Sequence, residues 1–205
     1  MQRILSVDPG LHGLGCGIFE NGVLVAGWYS PTSGRGRGPG RWQEVVENAF
    51  GPLRGTHFDQ VVVEVMQVYG GGSRGHKYPD PADILEVQGV SGAIAGYFLA
   101  PTQCVGYLPR EWKGSVPQHV YAGRIDAYLR SRGWQDACLP VSQYRRHDML
   151  HGIGLGLHHL GLVPGGRTGF KRGRPKHSGV ANRQQPERVE DVGTHGGGVG
   201  VAGLG

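Results

Sequence analysis

The chain has 205 residues, of which 39 are Gly; glycine at about 19%, against a usual ~7%, keeps part of the sequence out of any packed core. Hydrophobic residues make up 38%, leaving room for one domain plus an appendage, or for two very small domains. Lys and Arg number 21 against 16 Asp and Glu, with 7 basic and 3 acidic groups beyond residue 164, so the excess positive charge lies mainly in the tail and favours a polyanionic partner over an acidic-surface role.

Arg3 to Val7 is a short β-rich run, and Gly13 to Phe19 continues it with small residues. Asn21-Gly22 before Val23 to Tyr29 is a hairpin signal, because both residues tolerate the positive φ of a tight two-residue turn. The opening therefore predicts three successive antiparallel strands. Pro31 to Arg41 reads as a loop, Trp42 to Leu53 as a helix, and Gln60 to Val68 as a strand buried on both faces. After a Gly-rich loop over Gly70 to Tyr78, a helix is expected from Pro81 to Leu99, with Ile84, Val87, Val90, Ile94 and Phe98 on one face. Thr102 to Tyr107 is a further strand, and Pro117 to Arg132 and Tyr144 to Leu162 are helices. Strands followed by alternating helices and strands predict an α/β fold, a mixed sheet with helices packed on it.

From residue 165 to 205, 12 of 41 residues are Gly and apolar groups are sparse, so this tail is expected to be disordered and the folded domain to occupy 1–164. Cys16, Cys104 and Cys138 are too scattered for a disulfide framework or a Cys-rich zinc site, which suits a reducing cytoplasm. No run resembles a signal peptide or membrane span, so no membrane association is expected.

Three places carry candidate chemistry. Asp8 ends the first strand before Pro9-Gly10, which by itself is only a turn signal. Glu64 lies within Val61-Val62-Val63-Glu64-Val65, where a charge is costly unless it is paired or bound to metal. Asp148 and His151 are three apart on a helix and share a face. Carboxylates at two strand ends, with such a helical pair, can converge on two divalent cations that align an attacking water and stabilise the leaving oxygen of a phosphodiester.

The ordered set ILSVDPG (4–10) with Gly13 and Gly15, then Val62-Val63-Glu64, then LPREWKG (108–114), then DMLHGIG (148–154) resembles the RuvC-type Holliday-junction resolvases, most closely their bacteriophage branch, over roughly residues 3 to 162. The resemblance implies a ribonuclease-H-like mixed five-stranded sheet with flanking helices, a homodimer, and metal-dependent paired nicks in a branched DNA substrate. Asp8 and Glu64 match the first two acidic ligands of that family, and Asp148 and His151 the helical pair. His151 departs from the family's acidic residue. It keeps a ligating atom but removes a negative charge, so Mg²⁺ should be held less well and Mn²⁺ relatively better. Alternatively His147 takes part, or the site is weakened and the protein only binds junctions. His147 and His151 also form an i, i+4 pair, but no third zinc ligand has matching spacing.

Lys113 resembles a basic residue beside the family's active site that stabilises the transition-state phosphate. Tyr69 matches an aromatic that stacks on a base at the crossover, and Arg74 and Lys77 in the same loop are placed to follow phosphates. In the tail, Lys171 to Lys176 (KRGRPK) is similar to an AT-hook, with Arg172 and Arg174 suited to a narrow minor groove. A phosphotransferase of the sugar-kinase and actin-like type shares the opening Asp-x-Gly turn, but it needs a second phosphate-binding loop that the sequence does not contain.

Overall fold

Asn21 and Gly22 have φ of 50° and 83°, the left-handed pair that a two-residue hairpin turn requires. They join β2 (Gly13–Glu20) to β3 (Val23–Pro31), and β2 pairs antiparallel with β1 (Arg3–Pro9). The computed structural model describes residues 1–32, 36–66, 80–98 and 102–162. The described residues belong to one compact unit, Met1–Arg167. β4 (Gln60–Glu64) then lies parallel to β1, and β5 (Gln103–Tyr107) parallel to β4, giving the sheet order β3-β2-β1-β4-β5. The expected mixed five-stranded sheet is present. β4 ends at Glu64, short of the expected Val68.

The helices are α1 (Pro39–Phe50), α2 (Pro81–Tyr97), α3 (Pro109–Trp112), α4 (Gln118–Arg132) and α5 (Gln143–His159). α1 starts three residues before the expected Trp42. Pro39 is tolerated in its first turn because it has no N–H to leave unpaired there, and the Gly38 N–H donates to the Glu86 carboxylate on α2 at 2.9 Å. The single turn α3 and a 3-10 turn at Gln135–Ala137 were not expected, being too short to show a period. No helix among the described residues is long and apolar enough to cross a membrane.

Strand alternation sends side chains to two different layers. Leu5, Val7, Val61 and Val63 point into an apolar layer with Val45, Val46 and Phe50 of α1 and Val90 and Ile94 of α2. Ile4, Phe19 and Val62 point the other way, towards Tyr121, Ile125 and Leu129 of α4 and Met149, Ile153 and Leu157 of α5. Each layer removes large side chains from water, at roughly 25 cal/mol per Å² of apolar surface.

Candidate active site

The two strands that carry the candidate carboxylates are neighbours. Val7 pairs with Val63 in the parallel register of β1 and β4, so Asp8 and Glu64 come next on both strands and project from the same face, the one covered by α4 and α5. On the other side of Asp8, its cross-strand partner is Gly15. That glycine has a steric purpose. A methyl group on Gly15 would overlap the Asp148 carbonyl, and one on Gly152 would overlap the Gly15 backbone. Glycine on both elements thus lets α5 rest backbone to backbone on β2, which brings Asp148 and His151 beside the end of β1. Ser6 fixes the crossing point, its hydroxyl lying 2.8 Å from the Gly152 carbonyl and 3.2 Å from that of Gly17.

Glu64 has a nearly buried side chain. Its Oε2 accepts from the Trp112 indole N–H at 2.8 Å and lies 3.1 Å from the Lys113 ammonium. Ser91 Oγ on α2 sits 3.1 Å from the Glu64 carbonyl oxygen, which holds the strand end from the opposite layer. Burial and the neighbouring Asp8 charge push the Glu64 carboxyl up to about 7, although Lys113 and Trp112 pull the other way. Burial also raises Asp148, with Asp8 adding to the effect and His147 opposing it. The Asp8 charge thus raises the proton affinity of both neighbouring carboxylates, a cation-seeking arrangement.

His151 adds a second sign of this. Its Nε2 lies 3.2 Å from the Gln118 carbonyl and must carry the proton to bond there. Its Nδ1 lies 3.5 Å from Asp8 Oδ2. Carboxylate oxygens and an imidazole nitrogen so placed make a donor set that fits a divalent metal. The four predicted ligands nonetheless do not form a closed cage. No three His, Cys, Asp or Glu side chains among the described residues are drawn together tightly enough to enclose an ion. The reason is competing partners: Glu64 is turned to Lys113 and Trp112, while Asp148 Oδ1 is turned to His147 Nε2 at 2.9 Å.

Among the predicted residues, Asp8, Glu64, Asp148, His151 and Lys113 therefore share one region, and His147 lies at its edge. A small polar cavity of about 120 Å³ opens between Asp8, Asp148 and the Gly10 to Gly13 turn. A larger one of about 650 Å³ lies between α1 and α2, lined by Trp42, Val46 and Tyr97 and by none of these carboxylates. Tyr69, Arg74, Lys77, Arg172, Arg174 and the whole tail from residue 165 lie outside the described residues. Sequence reasoning missed Trp112 as a Glu64 partner, Ser91, and the Gly15/Gly152 contact. The available signal for that contact was glycine at alternate positions in both segments, 13-15-17 and 152-154-156.

No family model matches the chain, and no curated protein matches it in sequence. Solved structures do match in shape. RuvC of Thermus thermophilus in complex with Holliday junction substrate is 16% identical, with a TM-score of 0.54 over 80% of this chain and 99% of that one. A second structure of Thermus thermophilus RuvC is 17% identical, with a TM-score of 0.50 over the same shares. The chain thus has the RuvC-like, ribonuclease-H-like fold.

Proposed function

We propose that this protein is a metal-dependent, structure-selective DNA endonuclease that nicks branched DNA, four-way junctions above all, and works as a homodimer. One observation carries the reading: the register of β1 and β4 sets Asp8 and Glu64 side by side, at the place where α5 delivers Asp148 and His151. The fold shared with a junction-bound RuvC supports it, as do the ordered motifs, which alone support the bacteriophage branch.

Asp8, Glu64, Asp148 and His151 would hold the metal, Mg²⁺ or Mn²⁺. When bound, such ions supply Lewis-acid stabilisation of the phosphodiester and a nucleophilic water at neutral pH. The chain's own residues prepare the site. The Gln118 carbonyl orients the imidazole by accepting a hydrogen bond from its Nε2–H, Trp112 and Lys113 hold the Glu64 carboxylate, and the Lys113 ammonium offers positive charge to a scissile phosphate. The domain at 1–164 would do the cutting, and the basic tail with Arg172 and Arg174 would add duplex affinity, with Tyr69, Arg74 and Lys77 touching the crossover. A cytoplasmic setting in a bacterial or phage-infected cell suits such a substrate.

A weakened, junction-binding protein is the second reading. It is favoured by the open arrangement of the ligands, with Glu64 turned to Lys113 and Asp148 to His147. A labelled four-way junction incubated with Mg²⁺ and then Mn²⁺ decides between them. The nuclease reading expects paired nicks, faster with Mn²⁺, that Asp8→Asn and Glu64→Gln each reduce by at least about a hundredfold, the scale of losing preorganised charge stabilisation. Binding without nicks in either metal selects the second reading.

A further inference from the structure

Four aromatic or imidazole rings form a line from solvent to the candidate site. Tyr144, in the first turn of α5, is 80% exposed. Its ring centroid lies 6.1 Å from that of His147, which lies 6.1 Å from that of His151, which in turn lies 6.0 Å from that of Trp112. Each pair is close to edge-on. The inner end is the Trp112 N–H on Glu64. Residues 144, 147 and 151 follow helical spacing, so they form one stripe, and Tyr144 stands one turn, roughly 6 Å along the axis, from Asp148. An exposed tyrosine at a helix start needs no explanation in itself. This one is the open end of a ring stripe that passes through half-buried His147 to buried His151 and Trp112.

Arg145 adjoins Tyr144 in the chain. The first turn of α5 contains no acidic residue. Arg145 is held across the face of the Tyr29 ring at 4.9 Å, donates to the Tyr29 hydroxyl, and reaches the His12 carbonyl. Among the described residues no carboxylate ion-pairs with it; other arginines, such as Arg3, Arg37 and Arg146, are paired. A fixed positive charge beside a free aromatic face is the combination that binds single-stranded nucleic acid, the cation meeting phosphate and the ring meeting a base.

We infer that Tyr144 and Arg145 form a nucleotide subsite at the lip of the candidate active site, with Tyr144 stacking on an unpaired base of the branched DNA and Arg145 contacting the adjoining phosphate. The subsite rests on the nuclease reading and deepens it: it selects DNA whose bases are already free at the crossover, and it sets that strand one helical turn from Asp148. The Tyr144 ring packs edge-on against His147.

The test uses the full chain carrying Asp8→Asn and Tyr69→Ala, so that no strand is cut and no other proposed crossover ring can quench, and a four-way junction with 2-aminopurine at the crossover. The subsite expects strong quenching on binding, retained in Tyr144→Phe. In Tyr144→Ala quenching is lost and affinity falls about tenfold, the scale of one base–aromatic stack. Arg145→Ala weakens binding and flattens its salt dependence while Tyr144 still quenches. If Tyr144→Ala binds and quenches like its parent, the subsite is overturned and the nuclease reading stands. If the parent chain binds no junction and the wild type cuts none in Mn²⁺, the reading falls and the subsite with it.

Discussion

The two faces of the sheet are covered by helices in opposite ways. Towards α1 and α2 the contact is made by side chains: Leu5, Val7, Val61 and Val63 meet Phe50, Val90 and Ile94, and the two helices stand far enough apart to leave the 650 Å³ cavity. Towards α5 the contact includes backbone on backbone, with Gly15 against Gly152; both faces bury polar groups, Ser6 and His151 here, Glu86 and Ser91 there. A side-chain layer can adjust to change because its parts rotate. A backbone contact cannot, and that rigidity fixes α5 relative to β1 where Asp8 needs its neighbours. One face thus mainly supplies stability, and the other spends some of it on position.

Equal insertions on the two faces break this comparison most sharply. Gly152→Ala drives a methyl group into the Gly15 carbonyl and the Cys16 amide, so it should cost more than about 3 kcal/mol, beyond ordinary overpacking, and abolish cutting. Gly89→Ala on α2 drives its methyl group into the Trp42 indole, a side chain hydrogen-bonded to Glu86 but bordering the cavity. The ring must turn towards the cavity to make room, at the roughly 1–3 kcal/mol of ordinary overpacking, a smaller cost than that of a backbone clash. Urea melts of both variants check this, and similar losses would refute the division between the faces.

A smaller effect concerns Glu64. Its carboxyl is raised from 4.5 to about 7 in the folded chain, so between those values the native state holds more protons than the unfolded one. Stability from this group is therefore present at pH 4 and lost as pH rises through about 7. Glu64→Gln removes that loss. In metal-free buffer the variant should gain up to about 3 kcal/mol over wild type at pH 8, relative to the difference at pH 4, while losing activity. A divalent cation should cancel the gain by stabilising only the wild type. Melts at the two pH values with and without Mn²⁺ read this directly, and a pH-independent difference would remove the strained carboxylate from the account.

Much of the fold was legible because its signals are local. Asn21-Gly22 announced the hairpin, and the spacing from Ile84 to Phe98 announced the buried face of α2. The site was legible as residue types at strand ends and on a helix. Its assembly was not, since the β1–β4 register joins segments more than fifty residues apart and no local pattern encodes it. Trp112 was read as part of a motif, yet its N–H bond to Glu64 depends on where the single turn of α3 falls. The Gly152 contact was missed because glycine in a helix ordinarily signals weakness, and only a partner glycine in the facing strand changes that meaning.

The central claim is that Asp8, Glu64 and the α5 pair jointly bind a divalent cation. The most direct measurement is an anomalous-difference map from crystals of the full chain grown with Mn²⁺. The account expects a peak between Asp8 Oδ2 and His151 Nδ1, within about 2.0–2.5 Å of its ligands, with Glu64 swung from Lys113 towards it. Crystals saturated with Mn²⁺ that show no peak there, and Glu64 still paired with Lys113, would contradict it.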